Sequence, residues 1–82
     1  MNTITQKQID ELIKNATIKI DTVFGKCTIV SVQLENGFVI VADAACVDPI
    51  NYSEKLGTEI ALERIKNKLW ELEGYCLQKG LM

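Results

Sequence analysis

Hydrophobic residues recur with a helical period at the two ends of the chain and alternate with polar residues in between. Near the amino terminus, Thr5 and Gln8 have the spacing of a capping box, which marks the beginning of a helix. An apolar stripe follows at steps of three and four residues: Ile9, Leu12, Ile13 and Ala16. The pattern predicts a short helix that ends near Asn15. Because so short a helix is unstable alone in water, we expect it to dock on the rest of the fold.

The central part of the chain predicts three β-strands. Three runs with a period of two are separated by turn residues: 17–24, 27–34 and 38–42. The pair Asn36-Gly37 lies between the last two runs and is typical of a two-residue type I′ hairpin loop. The sequence therefore predicts an antiparallel sheet of three strands in chain order.

The predicted hairpin decides which side chains share a face of the sheet. A two-residue loop places Leu34 opposite Val39. One face then collects five aliphatic side chains, and we expect it to be the core face: Val30, Val32, Leu34, Val39 and Val41. The opposite face would carry Phe38 and Ile40, so we expect the first helix or a second copy of the chain to cover part of it.

The last third of the chain predicts one long helix. Pro49 disfavours helix just before it, and either Asn51 or Ser53 caps the helix that follows. An apolar seam continues at steps of three and four, and we expect it to pack on the core face: Thr58, Ala61, Leu62, Ile65, Leu69, Leu72 and Cys76.

Apolar residues also lie on the other side of this helix. Clustered hydrophobic side chains that include tryptophan suggest a second contact surface. We expect an interface with another subunit or partner to include these residues: Phe38, Ile40, Leu56, Ile60 and Trp70. Packing of the Trp70 side against the first helix of the same chain is the alternative.

The expected architecture is a single α+β domain over residues 1–82. A short N-terminal helix precedes a three-stranded antiparallel sheet, and a long C-terminal helix packs on one sheet face. So small a sheet has open edges that need protection. Together with the second apolar surfaces, the edges lead us to expect a homo-oligomer.

Composition narrows the class of protein. The formal net charge of −2 contains no basic run, so we expect no general nucleic-acid binding. No apolar run is long enough to span a bilayer, and the N-terminus lacks the apolar core of a secretion signal, so we expect a cytoplasmic protein without membrane contact. Three scattered cysteines, Cys27, Cys46 and Cys76, are read as reduced thiols.

The sequence lacks the residues of most reaction chemistry. It contains no histidine, which removes the usual general base and the ordinary zinc sites. It also has no glycine-rich phosphate loop. Asp43 and Asp48 leave a carboxylate pair open, but so small a chain offers little room for an enclosed pocket. We therefore expect no enzyme activity, no metal and no cofactor.

The segment from Asp43 to Tyr52 is the best candidate for a binding site. It crosses from the last strand to the long helix, where loops can carry binding groups. Four of its side chains supply acceptors, an amide and an aromatic face: Asp43, Asp48, Asn51 and Tyr52. The structural alternative is a turn, a helix cap and an aromatic staple. Trp70 and Tyr75 are further candidates, either as core residues or as binding hot spots.

Three motifs in this order resemble a known family: residues 34–38, residues 45–52 and residues 68–75. The combination is similar to small phage and prophage proteins called the phage gene-product-forty-nine-like family. The resemblance implies a phage or prophage origin and action inside a bacterial host cell.

The resemblance also implies the kind of function. We expect an accessory protein that acts by binding and inhibits a bacterial defence, either by occluding a protein target or by sequestering a small nucleotide signal. The alternative is a structural or assembly role in phage particle formation. A nucleotide would need cations from neighbouring copies to converge, and four are available: Lys26, Lys55, Arg64 and Lys68.

Overall fold

The N-terminal helix forms where the capping box predicts it. In the computed structural model, which describes residues 3–81, α1 spans Gln6–Lys14. The Thr5 hydroxyl accepts a hydrogen bond from the Gln8 amide at 3.2 Å, and the Gln8 side chain accepts one from the Thr5 amide at 2.8 Å. Ile9 is fully buried, so α1 is held on the domain through its apolar stripe.

Three strands form one antiparallel sheet in chain order, as predicted. They are β1 (Thr17–Val23), β2 (Cys27–Gln33) and β3 (Val39–Ala45), and β2 lies in the middle. The turn between β1 and β2 contains two consecutive positive φ angles, 56° at Phe24 and 66° at Gly25. Phe24 therefore occupies a backbone region that L-residues with large side chains rarely adopt.

The hairpin between β2 and β3 corrects the predicted register. Leu34 lies opposite Phe38, with Leu34 N donating to Phe38 O at 2.9 Å, so the loop has three residues and not two. Gly37 takes the left-handed position at φ 92° and donates to Leu34 O at 2.9 Å. This is the geometry of a turn followed by a left-handed glycine, which an Asn-Gly pair also permits.

A shift of one residue moves every β3 side chain to the other face of the sheet. The prediction that Val39 and Val41 are core residues is therefore wrong, because both are exposed. Ile40 is only 7% exposed and belongs to the core. The prediction that Ile40 lies on the face opposite the core is wrong for the same reason, and its role in an interface stays a prediction.

The long helix α2 spans Glu54–Gly80 and packs on both β2 and β3. Ser53 caps it, because its side chain accepts a hydrogen bond from the Leu56 amide at 3.2 Å, which decides between the two predicted caps. Its fully buried positions are spaced by four residues: Gly57, Ala61, Ile65 and Leu69. Cys76, the last residue of the predicted seam, is exposed.

Gly57 is the point of closest approach between α2 and the sheet. A Cβ atom placed there would lie 2.4 Å from Thr28 Oγ1, and Thr28 is fully buried on β2. A side chain of any size would displace either the helix or the Thr28 side chain.

The architecture confirms the predicted α+β fold. Helix α1 packs beside α2, where Lys66 and Asp10 form an ion pair with 3.6 Å between nitrogen and oxygen. Both helices leave the second face of the sheet uncovered by any element among residues 3–81. That open face carries Val39 and Val41 beside polar residues of the other strands.

Candidate functional site

The crossover from β3 to α2 begins later than predicted. Because β3 continues to Ala45, Asp43 is a strand residue and not a loop residue. Its side chain is exposed, and its backbone carbonyl accepts a hydrogen bond from Arg64 Nη1 at 2.6 Å. Arg64 thereby ties the middle of α2 to the outer strand.

The crossover itself is a single 3₁₀ turn over Pro49–Asn51. The Asp48 carboxylate caps this turn by accepting a hydrogen bond from the Ile50 amide at 3.0 Å. The Asn51 amide donates to Asp48 O at 3.0 Å, and the Cys46 thiol lies 3.7 Å from Asn51 O. Asp48 and the Asn51 backbone therefore have structural partners within the turn.

Tyr52 anchors the crossover to the sheet. Its hydroxyl lies 2.5 Å from Thr28 Oγ1 and 2.8 Å from Thr22 Oγ1, and the side chain is half-buried. Thr22 in turn donates to the Glu54 carboxylate at 3.0 Å. This chain of hydrogen bonds joins β1, β2 and the beginning of α2, so it fixes the backbone on which the crossover displays its outer residues.

The two aromatic candidates on α2 lie far from the crossover. Trp70 is half-buried and packs against the core cluster, and Tyr75 is exposed. An interface role for Trp70 stays a prediction. At about 1.5 Å of rise per residue, Trp70 lies on the order of 25 Å along the helix from Ser53. The six predicted binding residues therefore do not form one site.

Among residues 3–81, the three most exposed large hydrophobic side chains lie on two loops at one end of the sheet. Val47 is 95% exposed, Phe24 90% and Ile50 86%. The loops that carry them are joined, because Cys46 N donates to Lys26 O at 2.8 Å and Lys26 Nζ donates to Val47 O at 3.3 Å. We call the group of exposed hydrophobic residues Phe24, Val47, Ile50 and Leu56 the crossover end.

Leu56 lies on the first turn of α2, directly after the crossover. It is exposed and lines a cavity of about 50 Å³ together with Cys46, Tyr52 and Ile60. Phe24, Val47 and Ile50 are not among the predicted binding residues. Phe24 fits the alternation of the first predicted strand, and Val47 and Ile50 follow no period. The signal available was their position inside turns, where apolar residues are seldom buried.

A second feature lies along the free edge of the sheet. The β3-edge groove, about 350 Å³ in volume, is lined by Phe38, Val39, Ile40, Val41, Lys68 and Leu72. Phe38 is 51% exposed at its rim. The predicted interface residues therefore lie in separate places: Phe38 borders this groove, and Leu56 and Ile60 lie near the crossover. The role of these three residues in an interface stays a prediction.

The four candidate cations do not converge within one chain. Arg64 and Lys68 are one helical turn apart and both lie beside β3. Lys55 precedes Arg64 by nine residues, which at about 100° per residue places it on the opposite side of α2. Lys26 is engaged with the carbonyl of Val47.

The described residues contain no group of three or more histidine, cysteine or acidic side chains arranged to hold a metal ion. The three cysteines are free thiols. None of the helices in the part of the chain that the structure describes is both long and apolar enough to cross a membrane.

Comparison with protein families gives a match over almost the whole chain. Residues 4–81 match the phage protein (N4 Gp49/phage Sf6 gene 66) family. The chain belongs to this family. The three motifs that suggested the phage resemblance fall on the β2–β3 hairpin, on the crossover and on the C-terminal half of α2. No curated protein and no solved structure matches the chain.

Proposed function

We propose that this phage protein is a non-enzymatic accessory protein that acts by binding in the cytoplasm of the bacterial host, where it inhibits an anti-phage defence. Its membership of a phage family supports the setting. The observation that carries the binding role is the crossover end, where the three most exposed large hydrophobic side chains lie on two connected loops: Phe24, Val47 and Ile50.

A protein target suits the crossover end. Complete burial of one large apolar side chain stabilises a complex by about 1.5–3 kcal/mol, so three or four such residues are enough for a hot spot. The Tyr52 hydrogen bonds hold the crossover on the sheet, which reduces the entropy lost on binding. The inhibitor would then occlude a surface of a defence protein in a stoichiometric complex.

A small nucleotide signal is the second candidate target, and a different observation favours it. Arg64 and Lys68 are exposed on one side of α2 and four residues apart, a spacing at which both can reach one phosphate group. Two cations from one chain are few for a polyanionic ligand. This version of the proposal therefore needs cations from a neighbouring copy.

Native mass spectrometry of the protein purified from defence-bearing cells tests both targets. A co-purifying host protein is expected to be lost when the crossover end is made polar by Phe24→Asn, Val47→Ser and Ile50→Ser. Tyr75→Ser is the matched control, because it removes an exposed aromatic side chain far along α2. A bound nucleotide is expected instead to be lost in Arg64→Gln and kept in Lys55→Gln. Recovery of neither ligand from several defence systems would contradict the proposal.

Plaque counts separate inhibition from the rival role in particle assembly. Deletion of the gene from its phage is expected to reduce plaque numbers on a defence-bearing host and to leave them unchanged on a host without defences. An equal loss on both hosts would support assembly and refute the inhibitor. The polar crossover-end variant, supplied from a plasmid, should fail to restore plaques where the Tyr75→Ser control restores them.

A further inference from the structure

The backbone of β3 presents unused hydrogen-bonding groups at the free edge of the sheet. Leu34 N donates to Phe38 O at one end of the ladder and Cys46 N donates to Lys26 O at the other. Because antiparallel bonding alternates along a strand, the even-numbered residues of β3 bond to β2 and the odd-numbered residues point outwards.

Only part of this edge is already occupied. The carbonyl of Asp43 accepts a hydrogen bond from Arg64. The amides and carbonyls of Val39 and Val41, two residues that line the β3-edge groove, point outwards from the sheet edge, and no element among residues 3–81 pairs with them. Two donors and two acceptors in one extended stretch form a template for another strand.

The geometry points to a second copy of this chain as the occupant, with β3 pairing antiparallel to β3 about a two-fold axis near Ile40. In this register Val39 exchanges two hydrogen bonds with Val41 of the second copy, and Val41 exchanges two with its Val39. The bonds join two three-stranded sheets into one continuous sheet of six strands. The pairing avoids the Asp43 carbonyl that Arg64 already uses.

The position of α2 fits the same pairing. Helix α2 packs on both β2 and β3, so it lies over the free-edge side of the sheet. Strand pairing about a two-fold axis perpendicular to the sheet therefore brings the two copies of α2 side by side on the same face, where helices can pack. The strand contact and the helix contact therefore form together.

Side-chain chemistry is complementary across this axis. Phe38 lies opposite Ala42 of the second copy, a small half-buried residue that leaves room for the exposed ring. Lys68 and Glu71 are both exposed and three residues apart. Lys68 and Leu72 line the groove next to the proposed two-fold axis. Because the two copies of α2 run antiparallel across that axis, Lys68 of one copy lies towards Glu71 of the second copy. A matching apolar centre and opposite charges on the same two elements favour a copy of the chain over an unrelated strand.

Charge substitutions test the register directly. The double substitution Val39→Lys and Val41→Lys sets like charges opposite each other and is expected to weaken dimerisation about 100-fold or more. The pair Val39→Glu and Val41→Lys sets opposite charges at the same positions and is expected to restore the dimer. Thr17→Lys is the matched control: it places a lysine beside Lys19 on the other edge strand, at the level of Val39, and should leave association unchanged.

The measurements are sedimentation velocity over a wide range of protein concentration and amide hydrogen exchange of the wild-type chain. A dimer whose Val39 and Val41 amides become protected as concentration rises supports the proposal. A wild-type monomer at every concentration overturns it, as does a lysine pair that dimerises normally or a glutamate–lysine pair that stays monomeric. Should the lysine variant fail to fold, exchange at these two amides in the wild type decides the question, because fast exchange at high concentration contradicts strand pairing.

Discussion

The closest packing between helix and sheet gives the sharpest stability prediction. Substituting Gly57→Ala places a Cβ atom 2.4 Å from Thr28 Oγ1 and 3.0 Å from Thr28 Cβ, both shorter than an ordinary van der Waals contact. Thr28 cannot turn away freely, since its hydroxyl is hydrogen-bonded to Tyr52 and its side chain is fully buried. The substitution must therefore displace α2 or break that bond.

Three contributions set the change in the free energy of unfolding caused by Gly57→Ala. Overpacking a well-filled site costs about 1–3 kcal/mol, and disturbing the bond to Tyr52 costs about 1 kcal/mol. Replacing glycine by alanine inside a helix returns about 1 kcal/mol. We expect Gly57→Ala to lower the free energy of unfolding by about 1–3 kcal/mol.

Gly74 offers a matched control in the same helix. A Cβ atom there would meet nothing within 4 Å, so Gly74→Ala should raise the free energy of unfolding by about 1 kcal/mol through helix propensity alone. Urea denaturation followed by circular dichroism and by fluorescence of Trp70, the one tryptophan in the chain, measures both variants. All samples need one protein concentration, because any association would add to the apparent stability.

A double-mutant cycle isolates the contact. In a Thr28→Ala background the hydroxyl is absent, and the cost of Gly57→Ala should shrink by about 1–2 kcal/mol. The reasoning is refuted if Gly57→Ala stabilises the protein as much as Gly74→Ala does. An unchanged cost in the two backgrounds would equally show that Thr28 is not the obstacle.

Three further predictions use the same denaturation assay. Tyr52→Phe removes the hydroxyl that is hydrogen-bonded to Thr22 and Thr28, and it should lower the free energy of unfolding by about 1–3 kcal/mol. Tyr75 is exposed on α2, so the control Tyr75→Phe should change that free energy by less than about 0.5 kcal/mol. Equal effects of the two substitutions would contradict the anchoring role of Tyr52. Gly37→Ala should cost about 1–2 kcal/mol because φ is 92° there, and no loss would contradict the three-residue loop. Phe24→Asn should stabilise the fold by up to about 1 kcal/mol, since asparagine tolerates positive φ and the ring is almost fully exposed; a loss of more than about 1 kcal/mol would show that the ring packs.

The register of the β2–β3 hairpin shows where local sequence reasoning went wrong. Asn36-Gly37 is compatible with a two-residue loop and with a three-residue loop. The predicted register would have turned Asp43 towards α2 along with Val39 and Val41, since the three share one face. Burying an unpaired carboxylate costs far more than exposing two valines, so the charge at Asp43 was the signal that favoured the observed register.

The crossover end shows a second kind of feature that sequence patterns do not predict. Tyr52 was a candidate binding residue, yet its hydroxyl is bonded to threonines on two strands distant in sequence. Phe24 fits the alternation of the first predicted strand, and Val47 and Ile50 have no periodic pattern. Hydrogen bonds between their two loops bring those loops together. Which loop residues face outwards depends on contacts between segments, and a linear pattern does not contain those contacts.

The sequence by itself determined the elements of this phage protein and their order. Caps and periodicity act over three or four residues, so the capping box of α1 and the seam of α2 are specified locally. Tertiary structure decided which face of β3 is buried, how closely Gly57 lets α2 approach and which hydrophobic residues remain exposed. These outcomes minimise the burial of charge and the overlap of atoms across the whole fold, so they depend on residues far apart in the chain.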